Sequence, residues 1–267
     1  MKKLYYLLVV VFVAMATNVS AQFVQSSNEQ NTANTTTKSG GSNFFKQMSS
    51  ADYNRFYVGY NPVKIKWEED QSDWEEMLPF KHGVTVGYLH ASNLVKNVPL
   101  YLEYGANFMY SFGKDSYSEE DYDYDLGYYD LTYTTKMSMY SLNVPVNLAL
   151  RLSFNNDKIA LTPYVGLNFR VNVAGNRKVI LELDSDYGDD TETVTQKLFD
   201  SSDSDDALGD AAFKRFQVGF NVGVGLTLKS FYLGVGYVTD FSKIANYEDG
   251  DYVGKMGVTT LSLGIAF

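Results

Sequence analysis

Between Val98 and Gly113 the chain alternates without a break. Val98, Leu100, Leu102, Tyr104, Ala106, Phe108, Tyr110 and Phe112 are apolar or aromatic, while the positions between them, among them Glu103, Gly105, Asn107 and Ser111, are mostly small or polar. Successive side chains on a strand point to opposite faces, so the run predicts a strand with one greasy and one polar side. An ordinary strand has about 5–6 residues. This one is far longer and carries aromatics toward its ends, which suits a strand crossing a bilayer as part of a barrel.

The pattern recurs along the chain. A first strand is predicted over residues 55–67. There Phe56, Val58 and Tyr60 share one parity and Val63, Ile65 and Trp67 the other. The switch predicts a bulge at Asn61-Pro62, where proline has no N–H to give a ladder. A second strand, 80–91, points Phe80, Val84, Val86 and Tyr88 outward and Thr85 and Gly87 inward. The third is the run already described. The fourth, 130–152, sends Tyr140, Leu142, Val144, Val146, Leu148 and Leu150 outward against Ser141, Asn143, Asn147 and Arg151. The fifth, 159–173, turns Tyr164, Asn168 and Arg170 inward. The sixth, 215–228, alternates Phe216, Val218, Phe220, Val222 and Val224 with Gln217, Gly219, Asn221, Gly223 and Gly225. The seventh is 231–242. The eighth, 255–267, carries Thr259, Leu261, Leu263, Ile265 and Phe267 on its outer face.

The connections alternate in length. Long ones are predicted at 68–79, 114–129, 174–212 and 243–254, and short ones at 92–97, 154–157 and Lys229-Ser230. Within the longest, 178–183 and 191–198 are strand-like and predict a projecting hairpin, followed by a short helix at 205–212. Both chain ends then lie on the short-turn side. The expected fold is all-β: an eight-stranded antiparallel up-and-down transmembrane β-barrel with long extracellular loops. Lipid cannot satisfy an open sheet edge, so the sheet must close.

Composition refines this picture. Residues 1–21 have a Lys2-Lys3 start, an apolar run and a Val19-Ser20-Ala21 end, the form of a cleaved signal peptide. Residues 22–52 are rich in Ser, Thr, Asn and Gln and predict a flexible periplasmic arm; 53–267 is the barrel. The chain has no Cys and therefore no disulfide. Its net charge is -10, and most of its 32 acids fall in the long connections, which makes the predicted extracellular loops acidic.

The segments SLNVPVNLALRL (141–152), PYVGLNFRV (163–171) and FQVGFNVGVGLTL (216–228), with the terminal Phe267, resemble the outer-membrane β-barrel domain of the Bacteroidetes, the PorT-like group. In plan the chain is similar to the OmpX and OmpA-barrel class. The resemblance implies an outer-membrane location with both termini periplasmic. It also implies that Phe267 belongs to the signal read by the barrel assembly machinery, and it covers roughly residues 55–267.

Candidate chemistry is sparse. Asp121-x-Asp123-x-Asp125 resembles the start of an EF-hand loop, but the glycine and the distal Glu are misplaced, leaving weak Ca²⁺ binding as the most it offers. Tyr117, Tyr122, Tyr124, Tyr128 and Tyr129 interleave with these acids, and tyrosine supplies rigid amphipathic contact area for recognition. Tyr128 and Tyr133 would alternatively form an upper aromatic girdle. The acidic loops would repel phosphate, which argues against nucleic acid. The two histidines, His82 and His90, both fall on the outward face of the second strand, where neither serves as a general base inside the barrel. No enzyme is expected. The expected role is a surface or interaction protein in the outer-membrane bilayer with an extracellular or envelope protein as partner; the alternative is a component of an envelope transport or secretion complex. Inside the barrel, Glu103, Asn147, Arg151, Arg170, Arg215 and Asp240 should form a hydrogen-bonded lumen network, with Glu103 ionised and paired to Arg151 or Arg170.

Overall fold

The computed structural model describes residues 51–67, 79–95, 98–123, 127–154, 158–185, 188–199, 212–246 and 253–267. Their strands in chain order are β1 (Tyr53–Tyr60), β2 (Val63–Trp67), β3 (His82–Asn93), β4 (Leu100–Asp123), β5 (Gly127–Leu150), β6 (Leu152–Phe154) and β7 (Ile159–Ser185). They are followed by β8 (Asp190–Lys197), β9 (Ala212–Phe213), β10 (Phe216–Leu228), β11 (Phe231–Asp240), β12 (Ala245–Asn246) and β13 (Val253–Ala266). The signal segment, residues 22–50 of the arm, residues 205–211 of the expected short helix and Asp125 lie outside the described residues, while Ala212, where that helix was to end, is in β9.

Eight strands make a ring in the order β1-β3-β4-β5-β7-β10-β11-β13, and β13 closes it by pairing with β1. Every pairing is antiparallel. Closure leaves the ring without an edge, which is what a membrane demands of a sheet. The chain's last residue is held in the ladder: Phe267 N–H donates to Asn54 O at 3.0 Å, and Asn54 N–H donates to Phe267 O at 2.7 Å. The Phe267 side chain points outward and is exposed.

The predicted inward and outward parities follow from the alternation. Phe56, Val58, Val84, Phe108, Leu142, Leu167, Val235 and Leu263 lie exposed on the outer wall. Arg55, Tyr57, Glu103, Asn143, Arg170 and Gln217 are buried inside. An exposed apolar belt around a buried polar interior inverts the arrangement of a water-soluble domain and matches a barrel in lipid.

Four features depart from the sequence reading. The bulge expected at Asn61-Pro62 is absent. Tyr60 is opposite Leu261 and Val63 opposite Val258, so the register along β13 runs unbroken through Pro62. Asn61 and Val63 also donate in regular succession to Gly83 O and Lys81 O. The apolar residues change parity because the lumen changes character. Above Asn61 the interior is apolar, so Val63 and Ile65 face inward while Lys64 and Lys66 are exposed. Phe80, expected on the outer face, is buried in that same inner cluster ahead of β3.

The third departure is the connection expected at 114–129. β4 instead runs to Asp123 and pairs with β5 from Gly127 onward. Both faces of this hairpin are polar, so alternation is lost there. Its Ser, Thr and Tyr residues still suit a pleated surface, and Ser118 and Thr132 share a cross-strand hydrogen bond at 2.8 Å. Finally, the strand expected to end at 173 continues in β7 through Ser185; β8 folds back along it, so the projecting hairpin expected at 178–183 and 191–198 is present. A real bulge lies in β7: Ser141 pairs with Asn172 but Tyr140 pairs with Ala174, leaving Val173 extra. Below it Arg170 and Asn172 are buried; above it Gly175, Arg177 and Val179 are the buried ones. The extra residue turns the other face of the strand inward.

Candidate functional site

The interior has three levels. At the end of the ring where β1 begins and β13 ends, Glu103 is fully buried and accepts from Tyr53 Oη at 2.6 Å and from Arg55 at 3.1 Å. The Arg55 guanidinium sits 4.2 Å above the Tyr232 ring, and that of Arg151 sits 4.3 Å above the Tyr53 ring. The partner expected from the sequence was Arg151 or Arg170; the structure gives Arg55 instead. Arg55 and Glu103 lie on strands separated by β3, where Leu89 is opposite Arg55 and the small Ala91 is opposite Glu103. Inward side chains in a narrow barrel converge toward the axis, so the pair spans the strand between them.

The middle level is an amide network. Asn143 donates to Asn107 at 2.9 Å and accepts from Arg170 Nε at 3.0 Å and Asn168 at 3.3 Å. Asn221 donates to Asn147 at 3.0 Å, and Asn147 lies opposite Glu103. Arg170 also donates to Asp240 at 2.7 Å. These two meet across β10, at Gly219: a Cβ there would lie 2.7 Å from an Asp240 carboxylate oxygen. A cavity of about 70 Å³ remains, edged by Arg55, Asn107, Asn147, Tyr164, Asn221 and Tyr232, with room for a few water molecules.

The third level is apolar. Val63, Ile65, Phe80, Met109, Met139 and Met256 form one buried cluster across the lumen beyond Arg170. The Arg170 guanidinium touches the Met256 sulfur at 2.8 Å. Methionine fills irregular gaps well, which suits the closing of a round opening from several strands. Sequence reasoning missed this plug, although its signal was present in the parity switch at Val63 and Ile65. Among the described residues this cluster fills the lumen beyond Arg170, and the cavity beneath it is small. Purified protein in planar bilayers is therefore expected to give no stable open channel; reproducible large conductance steps would overturn a filled lumen.

The remaining predicted site residues lie elsewhere. Arg215 is exposed, not in the lumen: it donates to Val173 O at 2.9 Å and sits over the Phe199 ring, because its place ahead of β10 puts it beyond the barrel wall. Asp121 spends one oxygen on its neighbour, accepting from Tyr122 N–H at 2.8 Å. Among the described residues no cluster of acids or histidines is arranged to hold a metal. His82 faces outward and shares a hydrogen bond with Tyr60, and His90 meets Asn54 and Ser92.

Above the barrel, β4, β5, β7 and β8 continue as one projecting sheet. It carries stacked tyrosines: the rings of Tyr117 and Tyr133 are 5.2 Å apart and nearly parallel, and those of Tyr122 and Tyr128 are 5.0 Å apart edge-on. Tyr128 and Tyr133 therefore belong to this sheet and not to a girdle. The acids crowd one another here. Asp130 is opposite Asp184, and the neighbouring Asp189 carboxylate raises the Asp184 carboxyl above its usual value.

Comparison with known proteins places the fold. No curated protein matches the sequence. Among solved structures, Ail, the attachment invasion locus protein of Yersinia pestis, is 12% identical over 80% of this chain and 98% of its own, with a TM-score of 0.33. The N-terminal β-barrel domain of Pseudomonas aeruginosa OprF is 12% identical over 81% of this chain and 97% of its own, with a TM-score of 0.24. Likeness at this level says nothing of function. Residues 56–246 match the family described as outer membrane protein beta-barrel domain, which accounts for the closed eight-stranded ring and its apolar outer wall. The chain belongs to that family of outer-membrane barrels.

Proposed function

We propose that this is a non-enzymatic surface protein whose projecting sheet recognises an extracellular or envelope protein. The observation that carries this reading is the extension of β4, β5 and β7 well beyond the barrel wall. β4 alone runs from Lys114 to Asp123 past its last pairing with β3, about 33 Å of strand at the usual rise. A barrel needs none of that length to cross the bilayer. Tyr122 and Tyr128 are among the most exposed large hydrophobic side chains of the described residues, and paired tyrosines amid acids offer rigid contact area with charge selectivity.

The sheet faces the cell exterior in this proposal and both termini face the periplasm, with residues 1–21 removed as a signal and 22–52 a periplasmic arm. Phe267 acts in recognition by the assembly machinery. The PorT-like placement within the family rests on the strand segments 141–152, 163–171 and 216–228.

The absence of Cys makes the test direct. On intact cells, Ser118→Cys is expected to react with a membrane-impermeant maleimide and Ser230→Cys, in the turn between β10 and β11, to be protected. The reverse pattern would invert the topology. A photocrosslinker at Tyr122 or Tyr128 on those cells should capture a discrete protein that is lost when 116–134 is replaced by a short turn. The same crosslinks in the shortened protein would remove the recognition role from the sheet.

A further inference from the structure

The outer wall carries a feature that the acidic sheet does not explain. Lys114 lies directly opposite Lys136, and Lys136 directly opposite Lys178, so three lysines stand side by side across β4, β5 and β7. All three are exposed, and they share the outward face. Like charges directly opposite on a sheet destabilise it. In a chain of net charge -10 the row is not a by-product of general basicity. Among the described residues of these strands no acid answers it from the same face: the nearest outward carboxylates are Glu120, Asp130 and Glu182, four to six residues farther along. Asp115, beside Lys114, is held by Lys81 at 2.8 Å.

The height of the row is equally specific. Lys114 stands two residues beyond Phe112, about 7 Å along the strand. Phe112, Tyr110 and Tyr140 form a stacked aromatic group on the outer wall, with centroid separations of 5.4 Å and 4.8 Å. Aromatic side chains of this kind mark the membrane–water boundary. The lysines therefore stand at headgroup level. They border an open groove of about 500 Å³ whose floor and lower wall are Tyr110, Phe112, Ser138 and Asn176. Cationic ammonium groups above and ring faces below complement a molecule with phosphate on a polar head and an apolar body beneath.

We propose that the Lys114–Lys136–Lys178 row binds the phosphate groups of an anionic, phosphorylated glycolipid of the surrounding leaflet. Bound phosphate turns mutual repulsion into shared attraction, so the row is stabilising only when the lipid is present. The assignment of that leaflet as the outer one rests on the topology proposed above, while the binding itself does not. The experiment is therefore done on purified full-length protein refolded in zwitterionic detergent, where no leaflet exists, and a failed maleimide pattern on cells would leave it intact.

The probes are diphosphorylated lipid A, its dephosphorylated form and inorganic pyrophosphate, and the proteins are the parent and K114Q/K136Q/K178Q. Parent protein should bind diphosphorylated lipid A at least tenfold more tightly than the dephosphorylated form, and the triple variant should lose that preference. A second readout separates binding from misfolding. Without lipid the triple variant, freed of repulsion, should convert from the folded to the unfolded gel band at a higher temperature than the parent. With diphosphorylated lipid A the parent should gain stability, as any ligand of the folded state confers, and the triple variant should not. Equal binding of both lipid forms, or an unchanged preference in the triple variant, would overturn the proposal. Pyrophosphate binding as tightly as the lipid would show a free-anion site and not a lipid site.

Discussion

Glu103→Gln is expected to lower the stability of the folded barrel by about 3–5 kcal/mol, the cost of leaving one member of a buried ion pair alone. Gln keeps the shape and can still accept from Tyr53, so the change isolates the charge. What it strands is Arg55, which is 3% exposed and already has its Nε without a hydrogen-bond partner. The Tyr232 ring, 4.2 Å from the guanidinium, offsets part of that cost, and any water entering the adjoining cavity would offset more. The temperature at which the folded gel band converts should fall clearly below that of the parent. Arg151→Gln sharpens the test. If Arg151 meets only the Tyr53 ring, its loss should cost about 0.5–2 kcal/mol and be nearly additive with Glu103→Gln. Equal conversion temperatures for Glu103→Gln and the parent, or strong coupling between Glu103 and Arg151, would displace Arg55 as the partner.

The error in the sequence reading of this pair has a geometric cause. Strand order and parity were legible because lipid outside and polar groups inside impose period two along every wall. Neighbouring strands were then the natural place to look for Glu103's partner. Among the described residues both lumen ion pairs skip a strand: Arg55 and Glu103 across β3, Arg170 and Asp240 across β10. The skipped position is small each time, Ala91 opposite Glu103 and Gly219 opposite Asp240. A small inward residue opposite an acid, with an arginine two residues along on the strand beyond it, is thus a readable signal, once the interior is treated as a convergent space and not as a flat sheet. The apolar plug and the β4–β5 part of the projecting sheet were lost for a related reason, whereas its β7–β8 hairpin was legible. Period two reports contrast between faces. At Val63 and Ile65 the contrast reversed, and beyond Gly113 it vanished because water lies on both sides. Neither change is a change of backbone.

Arg170 and Asp240 give the second large effect, and its sign depends on how many partners are removed. Asp240→Asn should cost about 3–5 kcal/mol, because Arg170 is 1% exposed and its remaining contacts to Asn143, Gln217 and the Met256 sulfur are all neutral. Arg170→Met should cost a similar amount by stranding the Asp240 carboxylate, one of whose oxygens has no hydrogen-bond partner even in the parent. The double variant Arg170→Met/Asp240→Leu removes both charges and extends the adjoining apolar cluster of Met109, Met139 and Met256 downward. Buried pairs replaced by apolar groups of similar volume are often neutral or more stable by about 1–4 kcal/mol. Two losses remain: the Asn143 oxygen loses its donor from Arg170 and keeps only that from Asn168 at 3.3 Å, and the buried Gln217 loses the Arg170 contact at 3.5 Å. The double variant should therefore recover most of the loss, with its gel band converting near the parent's temperature while both single variants convert well below it. A double variant as unstable as either single one would show that the pair does more than neutralise itself, holding β7 and β11 in register across the glycine-lined β10 between them.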